Sequence, residues 1–400
     1  MVLRILFVDD DANVLGGLRR MLRPLRHEWS TEFADGGPQA LTLMEKAPFD
    51  VIVSDMRMPV MSGVQLLEEV CRLYPKTIRL ILSGQCDEAA SAKAVRVAHQ
   101  MLNKPCEAET LKATVASAVA VRDMLANDQL RSLVTGQDKL PSLPSLYTEL
   151  VAELDSPEPS LAKVSGIVSS DPGMAAQILR LANSAFFGVR TLSANPRQAI
   201  AVLGLETMRT LVLAVSIFSR FKIEGAEQLS IESLWKHCQS VSKLAAAIAT
   251  AEGASAVDIE LTAMSGLLHD IGKLILMHSM PKVYSGVLQK AAMSEETLCA
   301  IEHAAFGASH AKVGACLLGL WGIPAAVVEA VAWHHAPSDC PNLLFRPLTA
   351  VHAANAFLDA NENQGAPHLD EGYLGRLNLL NRVERWRELC DSQLNEVHAQ

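Results

Sequence analysis

Short apolar runs alternate with segments of helical periodicity over the first 120 residues of the chain. In order, these segments are Leu3–Val8, Val14–Leu25, Phe49–Ser54, Gly63–Leu73, Ile78–Leu82, Glu88–Val97, Met101–Leu102 and a helix from Ala108 onward. Continuous apolar runs are typical of strands buried on both faces, and the helices between them supply the crossovers that parallel strands need. The pattern therefore predicts a doubly wound α/β fold with a parallel sheet.

Beyond Leu140 the apolar positions recur at helical spacing, and no comparable strand pattern is present. This periodicity runs through the segments SLYTELVAEL, AAQILRLANSAFF, AIAVLGLETMRTLVLAVSIF and SVSKLAAAIATA. Asp171 followed by Pro172 predicts the start of one helix, because aspartate caps helix N-termini and proline fits the first turn. We expect an all-helical bundle for this part of the chain.

The segment that joins the two parts, Ala108 to about Val134, is rich in helix formers and lacks Gly and Pro. It predicts that the last helix of the N-terminal part runs on into a connecting helix. Leu111, Val115 and Leu125 fit a coiled-coil seam that polar residues interrupt, so the sequence leaves open a dimeric coiled coil or a helix packed on its own domain. Gly136 and the following LPSLP run mark the change of domain.

Composition and charge exclude several classes of protein. Half of the 400 residues are apolar and a fifth are charged, which is typical of packed globular domains, and the length suggests two of them. With a net charge of −9 and no block of Lys or Arg, the chain lacks the electrostatic footprint of a nucleic-acid-binding protein. The longest uncharged stretch, Val313–Val328, is too short and too rich in glycine for a membrane span.

The N-terminus and the cysteines indicate the compartment. The segment MVLRILFVDDD has the pattern of a buried first strand that ends in acids, and it lacks the pattern of a cleaved signal peptide. Eight cysteines are scattered without a CxxC pair, which is typical of reduced thiols. We expect a cytoplasmic protein without membrane insertion.

Polar residues follow the predicted strands at the point where each strand ends. Three acids at 9–11 come after the first strand, Asp55 after VIVS, Ser83 after IRLIL and Lys104 after MLN. Because the carboxyl ends of parallel strands meet at one edge of a sheet, we expect these side chains to lie together. Clustered carboxylates repel each other unless a hard cation lies between them, so the acids predict a Mg²⁺ site. Mg²⁺ would also allow Asp55 to accept a phosphoryl group.

The motifs FVDDD, SDMRMPVMSG, LILSG and LNKP resemble the successive motifs of the response-regulator receiver family over residues 1–122. The resemblance implies a flavodoxin-like domain with a five-stranded parallel sheet, a phosphoacceptor and bound Mg²⁺. Matched by motif, the implied site consists of the phosphoacceptor Asp55, the Mg²⁺ ligands Asp9, Asp10 and Asp55, and the phosphate-contacting or switch residues Ser83, Lys104 and Met101. The family's switch position is commonly aromatic, so Met101 puts the usual rotamer relay in question.

Five histidines and one aspartate lie in apolar helical contexts of the C-terminal part. They are His237, His269, Asp270, His310, His334 and His335, with the His-Asp pair on one helix and the last two adjacent. These residue types bind divalent metals, and ligands from several helices could complete one site or a dinuclear site. A histidine on a helix is also commonly a hydrogen-bonded core residue, and both interpretations remain open.

The segments LPSLPSLYTELVAEL, SSDPGMAAQILRLANSAFFG, GLLHDIGKL and FGASHAKVGACLLGLWGIP resemble the HDOD family, an output domain related to the HD phosphohydrolases, over residues 140–358. The resemblance implies an all-α HD-like fold and a signalling module that is generally catalytically inactive. It makes His237, His269, Asp270, Lys273 and the later histidines candidates for holding Fe, Mn or Zn. Two departures speak against turnover: no GYP-like loop follows His335, and Asn355 occupies the position of the expected late aspartate.

These features favour a response regulator whose domains are 1–122, a helical linker at 123–139, an HDOD domain at 140–358 and a helical extension at 359–400. A histidine kinase would phosphorylate Asp55, and the receiver would then change how the HDOD domain binds a downstream protein. The alternative is a phosphorylation-gated, metal-dependent phosphohydrolase that acts on nucleotides or cyclic dinucleotides. The amphipathic tail after Arg376 could pack on either domain or on a second chain, so a homodimer stays open. A transcription factor is disfavoured because no basic recognition helix is present.

Overall fold

The computed structural model describes residues 2–84, 94, 96–184, 193, 195–214, 219–220, 231–294, 296–342, 344–363 and 365–398. Its N-terminal part is built on one parallel sheet. The strands are β1 Leu3–Val8, β2 Trp29–Ala34, β3 Val51–Asp55, β4 Ile78–Ser83 and β5 Gln100–Asn103. They lie in the order β2-β1-β3-β4-β5, which is the flavodoxin-like arrangement. The predicted doubly wound fold with five parallel strands is confirmed.

Helices pack on both faces of this sheet. They are α1 Ala12–Leu22, α2 Gly37–Lys46, α3 Gly63–Leu73 and α4 Ala108–Asp123, with a 3₁₀ turn at Arg23–Leu25. The hydrophobic pattern missed β2 and α2, because β2 is an edge strand in which only Trp29 and Ala34 are buried and no continuous apolar run forms. The predicted helix over Glu88–Val97 lies mainly outside the described residues.

The helix predicted to run without interruption from Ala108 to Val134 is broken in two. The first part ends at Asp123, and a new helix, α5 Asp128–Thr135, begins after Asn127, whose side-chain oxygen accepts a hydrogen bond from Gln129 N at 2.7 Å. A good N-cap stabilises a new start where propensity alone favours continuation. The apolar side chains considered for a coiled coil, Leu111, Val115 and Leu125, are fully buried within the chain.

The C-terminal part is helical, as predicted. Up to Asn363, its α-helices in the described ranges are α6 Pro144–Leu154, α7 Leu161–Ser169, α8 Pro172–Ala182, α9 Pro196–Leu203, α10 Leu205–Arg209, α11 Ile231–Ala251, α12 Ala256–Leu268, α13 Ile271–Ser279, α14 Pro281–Ala292, α15 Leu298–Phe306, α16 His310–Leu320, α17 Ala325–Trp333 and α18 Pro347–Asn363. Asp171 caps α8 by accepting from Met174 N at 3.0 Å, as its sequence predicts. A parallel pair of two-residue strands, Pro141–Ser142 and Ser219–Arg220, adds the β-structure that the pattern did not indicate. In the described ranges, every helix is too short or too polar to span a bilayer.

The C-terminal tail packs on this helical part. After α19 Glu371–Arg376, the last helix, α20 Val383–His398, contacts α11 and α18. Trp386 is fully buried there, and its Nε1 donates to Glu252 Oε1 at 2.9 Å. The predicted boundary at residue 358 falls inside α18.

Candidate phosphoacceptor and metal sites

The carboxyl ends of strands β1, β3 and β5 bring two aspartates and a lysine together at one edge of the sheet. Lys104 Nζ donates to Asp9 Oδ2 at 2.5 Å and also to Asp55 Oδ1. Burial lowers the pKa of the Lys104 ammonium, but its two carboxylate partners outweigh burial and raise it. The lysine is therefore a fixed positive charge between Asp9 and Asp55.

The loop after β3 fixes the orientation of the Asp55 side chain. Arg57 N donates to Asp55 Oδ2 at 2.6 Å. A Cβ on Gly63 would lie 1.9 Å from Asp55 O, so the start of α3 approaches the end of β3 more closely than any residue but glycine allows. Ser62 caps α3 and forms a reciprocal capping box with Gln65. The helix start and the acceptor strand are thus held together by backbone contact.

The chemistry of the acidic donors suits Mg²⁺. Asp9 and Asp55 both direct oxygen atoms at one cation, Lys104 Nζ, and Asp10 is exposed beside them. Hard oxygen donors of this kind are the ligands that Mg²⁺ prefers. The Ser83 hydroxyl at the end of β4 is buried and donates to Gly84 O at 3.1 Å. Met101 on β5 is buried and faces the junction with the helical part.

A second cluster lies in the helical part around the buried Asp270 carboxylate. Nitrogen atoms of four histidines surround its oxygens: His310 Nε2 at 3.2 Å, His269 Nε2 at 3.4 Å, His334 Nε2 at 3.7 Å and His237 Nε2 at 3.9 Å. His335, which is exposed, completes the group through His310, with 3.1 Å between their Nε2 atoms. We call Asp270, His269, His310, His334 and His335 the inner centre. One ligand atom each of Asp270, His310, His334 and His335 lies within 4.8 Å of the others.

Hydrogen bonds behind the inner centre orient its imidazoles. His269 Nδ1 lies 2.7 Å from Gly266 O, and His334 Nδ1 lies 2.9 Å from Val331 O. A carbonyl can only accept, so each Nδ1 carries a proton and each Nε2 is turned toward Asp270. Burial, followed by the nearby His335, lowers the pKa of His334 well below its usual range and keeps that ring neutral.

A buried carboxylate supports His310 from the other side. Glu302 Oε2 accepts from His310 N at 2.8 Å and from His310 Nδ1 at 2.7 Å, while Glu302 Oε1 accepts from Tyr284 OH at 2.7 Å. Carboxylate–histidine pairs of this kind are typical of metal sites, where they fix the ring and raise its basicity. The sequence reasoning missed Glu302, although a single acid in the apolar helix LCAIEHAAF was an available signal.

Polar atoms without partners indicate that the inner centre fits a metal. His269 Nε2, Asp270 Oδ1 and His334 Nε2 are buried and form no hydrogen bond among the described residues. Burial raises the pKa of the Asp270 carboxyl, but His269 and Lys273 outweigh burial and hold it well below its usual range. Unsatisfied buried atoms cost free energy unless a ligand compensates them. Nitrogen and oxygen donors in this arrangement suit Zn, Fe or Mn.

The expectation that His269 and Asp270 share one helix is wrong. Helix α12 ends at Leu268 and α13 begins at Ile271, so the pair lies in the bend between two helices and both side chains reach the same centre. Asn355 lies on α18 next to the cluster, where its Oδ1 is 2.9 Å from His237 Nε2 and its Nδ2 donates to Asp359 Oδ2 at 3.0 Å.

The sheet domain docks directly on the helical part. Gln100 Nε2 on β5 donates to Gly319 O and Leu320 O at 3.2 Å, and Arg180 Nη2 on α8 donates to Ala98 O at 2.8 Å. A cavity of about 1080 Å³ at this junction is lined on one side by Met101 and on the other by residues of the helical part. The buried switch candidate therefore faces the surface through which the two domains touch.

Two family models match the chain. The model of the response regulator receiver domain matches residues 5–116, and that of the HDOD domain matches residues 140–337. Among solved structures, the chain resembles the MmoQ response regulator from Methylococcus capsulatus str. Bath with a TM-score of 0.50 and 23% identity, over 62% of this chain and 98% of that one. This likeness supports the fold.

Curated relatives match over shorter regions. An uncharacterised protein of Treponema pallidum (strain Nichols) is 24% identical over 216 residues, which are 54% of this chain and 41% of that protein. The hydrogenase transcriptional regulatory protein HoxA of Cupriavidus necator is 31% identical over 122 residues, which are 30% of this chain and 25% of that protein. The chain spans less than half the length of both relatives.

Proposed function

This chain is a response regulator with a receiver domain and an HDOD domain, and from that premise we propose that it is a phosphorylation-controlled signalling adaptor. The observation that supports the proposal is the contact of one lysine, Lys104, with both Asp9 and Asp55 at the carboxyl edge of the sheet. In our proposal Asp55 accepts a phosphoryl group from a histidine kinase, and the HDOD domain, at about 140–358, then binds a partner protein differently.

The receiver residues have different roles in phosphoryl transfer. A carboxylate oxygen of Asp55 forms a bond to phosphorus while the bond from phosphorus to the donor's imidazole nitrogen breaks, which gives an aspartyl phosphate. Lys104 pairs with a phosphate oxygen, and the Ser83 hydroxyl donates to another. Asp9, Asp10 and Asp55 would hold Mg²⁺, which supplies neutralisation of the phosphoryl charge when it is bound.

The domain interface offers a direct route for the signal. Gln100 and Met101 lie on β5, four and three residues before Lys104; Gln100 donates hydrogen bonds to the HDOD domain, and Met101 lines the cavity at the junction. A phosphate that shifts Lys104 changes the strand that carries these contacts, so the two phosphorylation states bind the HDOD surface with different free energies. Met101 replaces the aromatic switch of the family in this role.

Labelling with a small phosphodonor in the presence of Mg²⁺ tests the acceptor. We expect stoichiometric, acid-stable and base-labile labelling of the full chain, no labelling of Asp55→Asn, and normal labelling of the control Asp35→Asn, which removes an exposed acid. Retention of a partner protein should differ between phosphorylated and unphosphorylated chain. Undiminished labelling of Asp55→Asn would refute the assignment of the acceptor.

The unpartnered buried atoms of the inner centre favour a second candidate, a metal-dependent phosphohydrolase. His269 Nε2, Asp270 Oδ1 and His334 Nε2 would contribute to holding the metal, with His310 fixed by Glu302. When bound, the metal would polarise a phosphoryl oxygen or lower the pKa of a water ligand. Metal analysis and a screen of nucleotides and cyclic dinucleotides separate the candidates: turnover that His269→Ala abolishes would establish the enzyme and overturn a purely adaptor role.

A further inference from the structure

Helix α18 carries three polar residues at i, i+4 and i+7, so they share one face: Asn355, Asp359 and Glu362. This face is directed at His237 of α11. One ligand atom each of His237, Asp359 and Glu362 lies within 4.8 Å of the other two. None of these three residues belongs to the inner centre as defined above, and the exposed Glu362 leaves the group accessible from solvent.

The Asn355 amide orients His237 toward the two acids. Asn355 Nδ2 donates to Asp359 Oδ2 at 3.0 Å, which turns the amide oxygen toward His237 Nε2 at 2.9 Å. An amide oxygen can only accept, so His237 Nε2 carries a proton. His237 Nδ1 consequently faces outward and lies 3.7 Å from Glu362 Oε2. This ring is turned the opposite way from His269 and His334, whose Nε2 atoms point inward.

A buried imidazole nitrogen without a hydrogen-bond partner lies beside this group. His269 is fully buried, its Nε2 accepts no hydrogen bond, and its ring centroid lies 5.3 Å from that of His237. Ligand atoms of His237, His269 and Asp270 also lie within 4.8 Å of one another. His237 thus stands between the buried donors and two carboxylates. Lys273 Nζ pairs with Asp270 Oδ2 at 2.6 Å, so Asp359 and Glu362 are the negative charges that favour a cation here.

We propose that His237, Asp359 and Glu362 form an outer site for a divalent transition metal such as Zn²⁺ or Mn²⁺. One imidazole and two carboxylates are a donor set that both ions accept, and the two negative charges balance the ion. Asp359, one turn after Asn355 on the same helix, supplies the carboxylate that Asn355 lacks. The proposal extends the metal-binding capacity proposed for the inner centre, yet it does not require it, because the outer residues supply their own donors.

Metal stoichiometry of the full chain tests the outer site. The chain is stripped with a chelator, reloaded with Mn²⁺ or Zn²⁺ and measured by mass spectrometry of the metal and by calorimetry. The variants are Asp359→Asn with Glu362→Gln for the outer site, His334→Ala for the inner centre, and Asp391→Asn as a control for loss of an exposed acid on the tail. Circular dichroism verifies that each variant is folded.

We expect the outer double variant to lose one equivalent of metal, or at least tenfold in affinity, while His334→Ala and Asp391→Asn retain that equivalent. If the inner centre binds no metal, the metal content of His334→Ala equals that of the wild type, and the equivalent bound at the outer site remains. Failure of the inner-centre proposal can therefore be told apart from failure of the outer-site proposal. Equal stoichiometry and affinity in the wild type and the outer double variant would overturn the outer site. Absence of bound metal in the wild type would also overturn it and leave His237 and Glu362 as a simple ion pair.

Discussion

The receiver and the HDOD domain approach each other closely at one glycine. Gly319 lies in α16 and faces Val121 of the receiver helix α4. A Cβ at Gly319 would lie 2.6 Å from Val121 Cγ1, 3.0 Å from Cγ2 and 3.1 Å from Cβ. Val121 is β-branched and stiff about χ1, so it cannot rotate out of the way at low cost. We therefore predict that Gly319→Ala weakens the contact between the domains.

The expected change in unfolding free energy is worked out by comparison with a matched control, Gly286→Ala. Gly286 lies in α14, is exposed and has no neighbouring atom within 4 Å of an added Cβ. Gly286→Ala should raise the free energy of unfolding by about 0.8–1 kcal/mol, the difference in helix propensity between glycine and alanine. Gly319→Ala gains the same propensity but adds a steric overlap that costs about 1–3 kcal/mol. Its free energy of unfolding should therefore lie about 1–3 kcal/mol below that of Gly286→Ala.

Urea unfolding followed by tryptophan fluorescence and circular dichroism measures both variants. All five tryptophans of the chain, including the buried Trp321 at the interface, report on the transition. If docking is weakened, Gly319→Ala should unfold at lower urea than Gly286→Ala, with a receiver transition that separates from the HDOD transition. Equal stabilisation of the two variants would show that the receiver does not pack on α16 in this way.

Three further changes have defined outcomes. Burial raises the pKa of the Asp171 carboxyl to about 6, above the value in an unfolded chain, so the charged form lowers stability. From pH 4 to pH 7 the wild type should lose about 2 kcal/mol of unfolding free energy relative to Asp171→Asn. A difference between the two proteins that does not vary with pH would contradict this. Gly63→Ala forces the backbone at Asp55 to move and should slow phosphodonor labelling severalfold; unchanged labelling kinetics would exclude the close approach. Trp386→Ala removes a fully buried side chain and should lower the unfolding free energy by about 3–5 kcal/mol, whereas a loss below 1 kcal/mol would mean that the tail does not pack on the HDOD domain.

The sequence alone was sufficient for the receiver fold and for its cluster of polar residues. Each polar residue follows its strand directly, and parallel strands align their carboxyl ends, so local order along the chain already implies proximity in space. Asp9, Asp55 and Lys104 meet for this reason. The helix start at Asp171 was predictable on equally local grounds, since a cap acts on its own first turn.

Tertiary structure decided the rest, because the decisive contacts join residues far apart in sequence. His237 meets Asn355 across 118 positions, and Glu302 and Asp359 became candidate partners of the histidines only when their helices packed together. Residue types indicate which chemistry is available to a chain. Helix packing determines which atoms share a site and, as at His237, which ring nitrogen faces it.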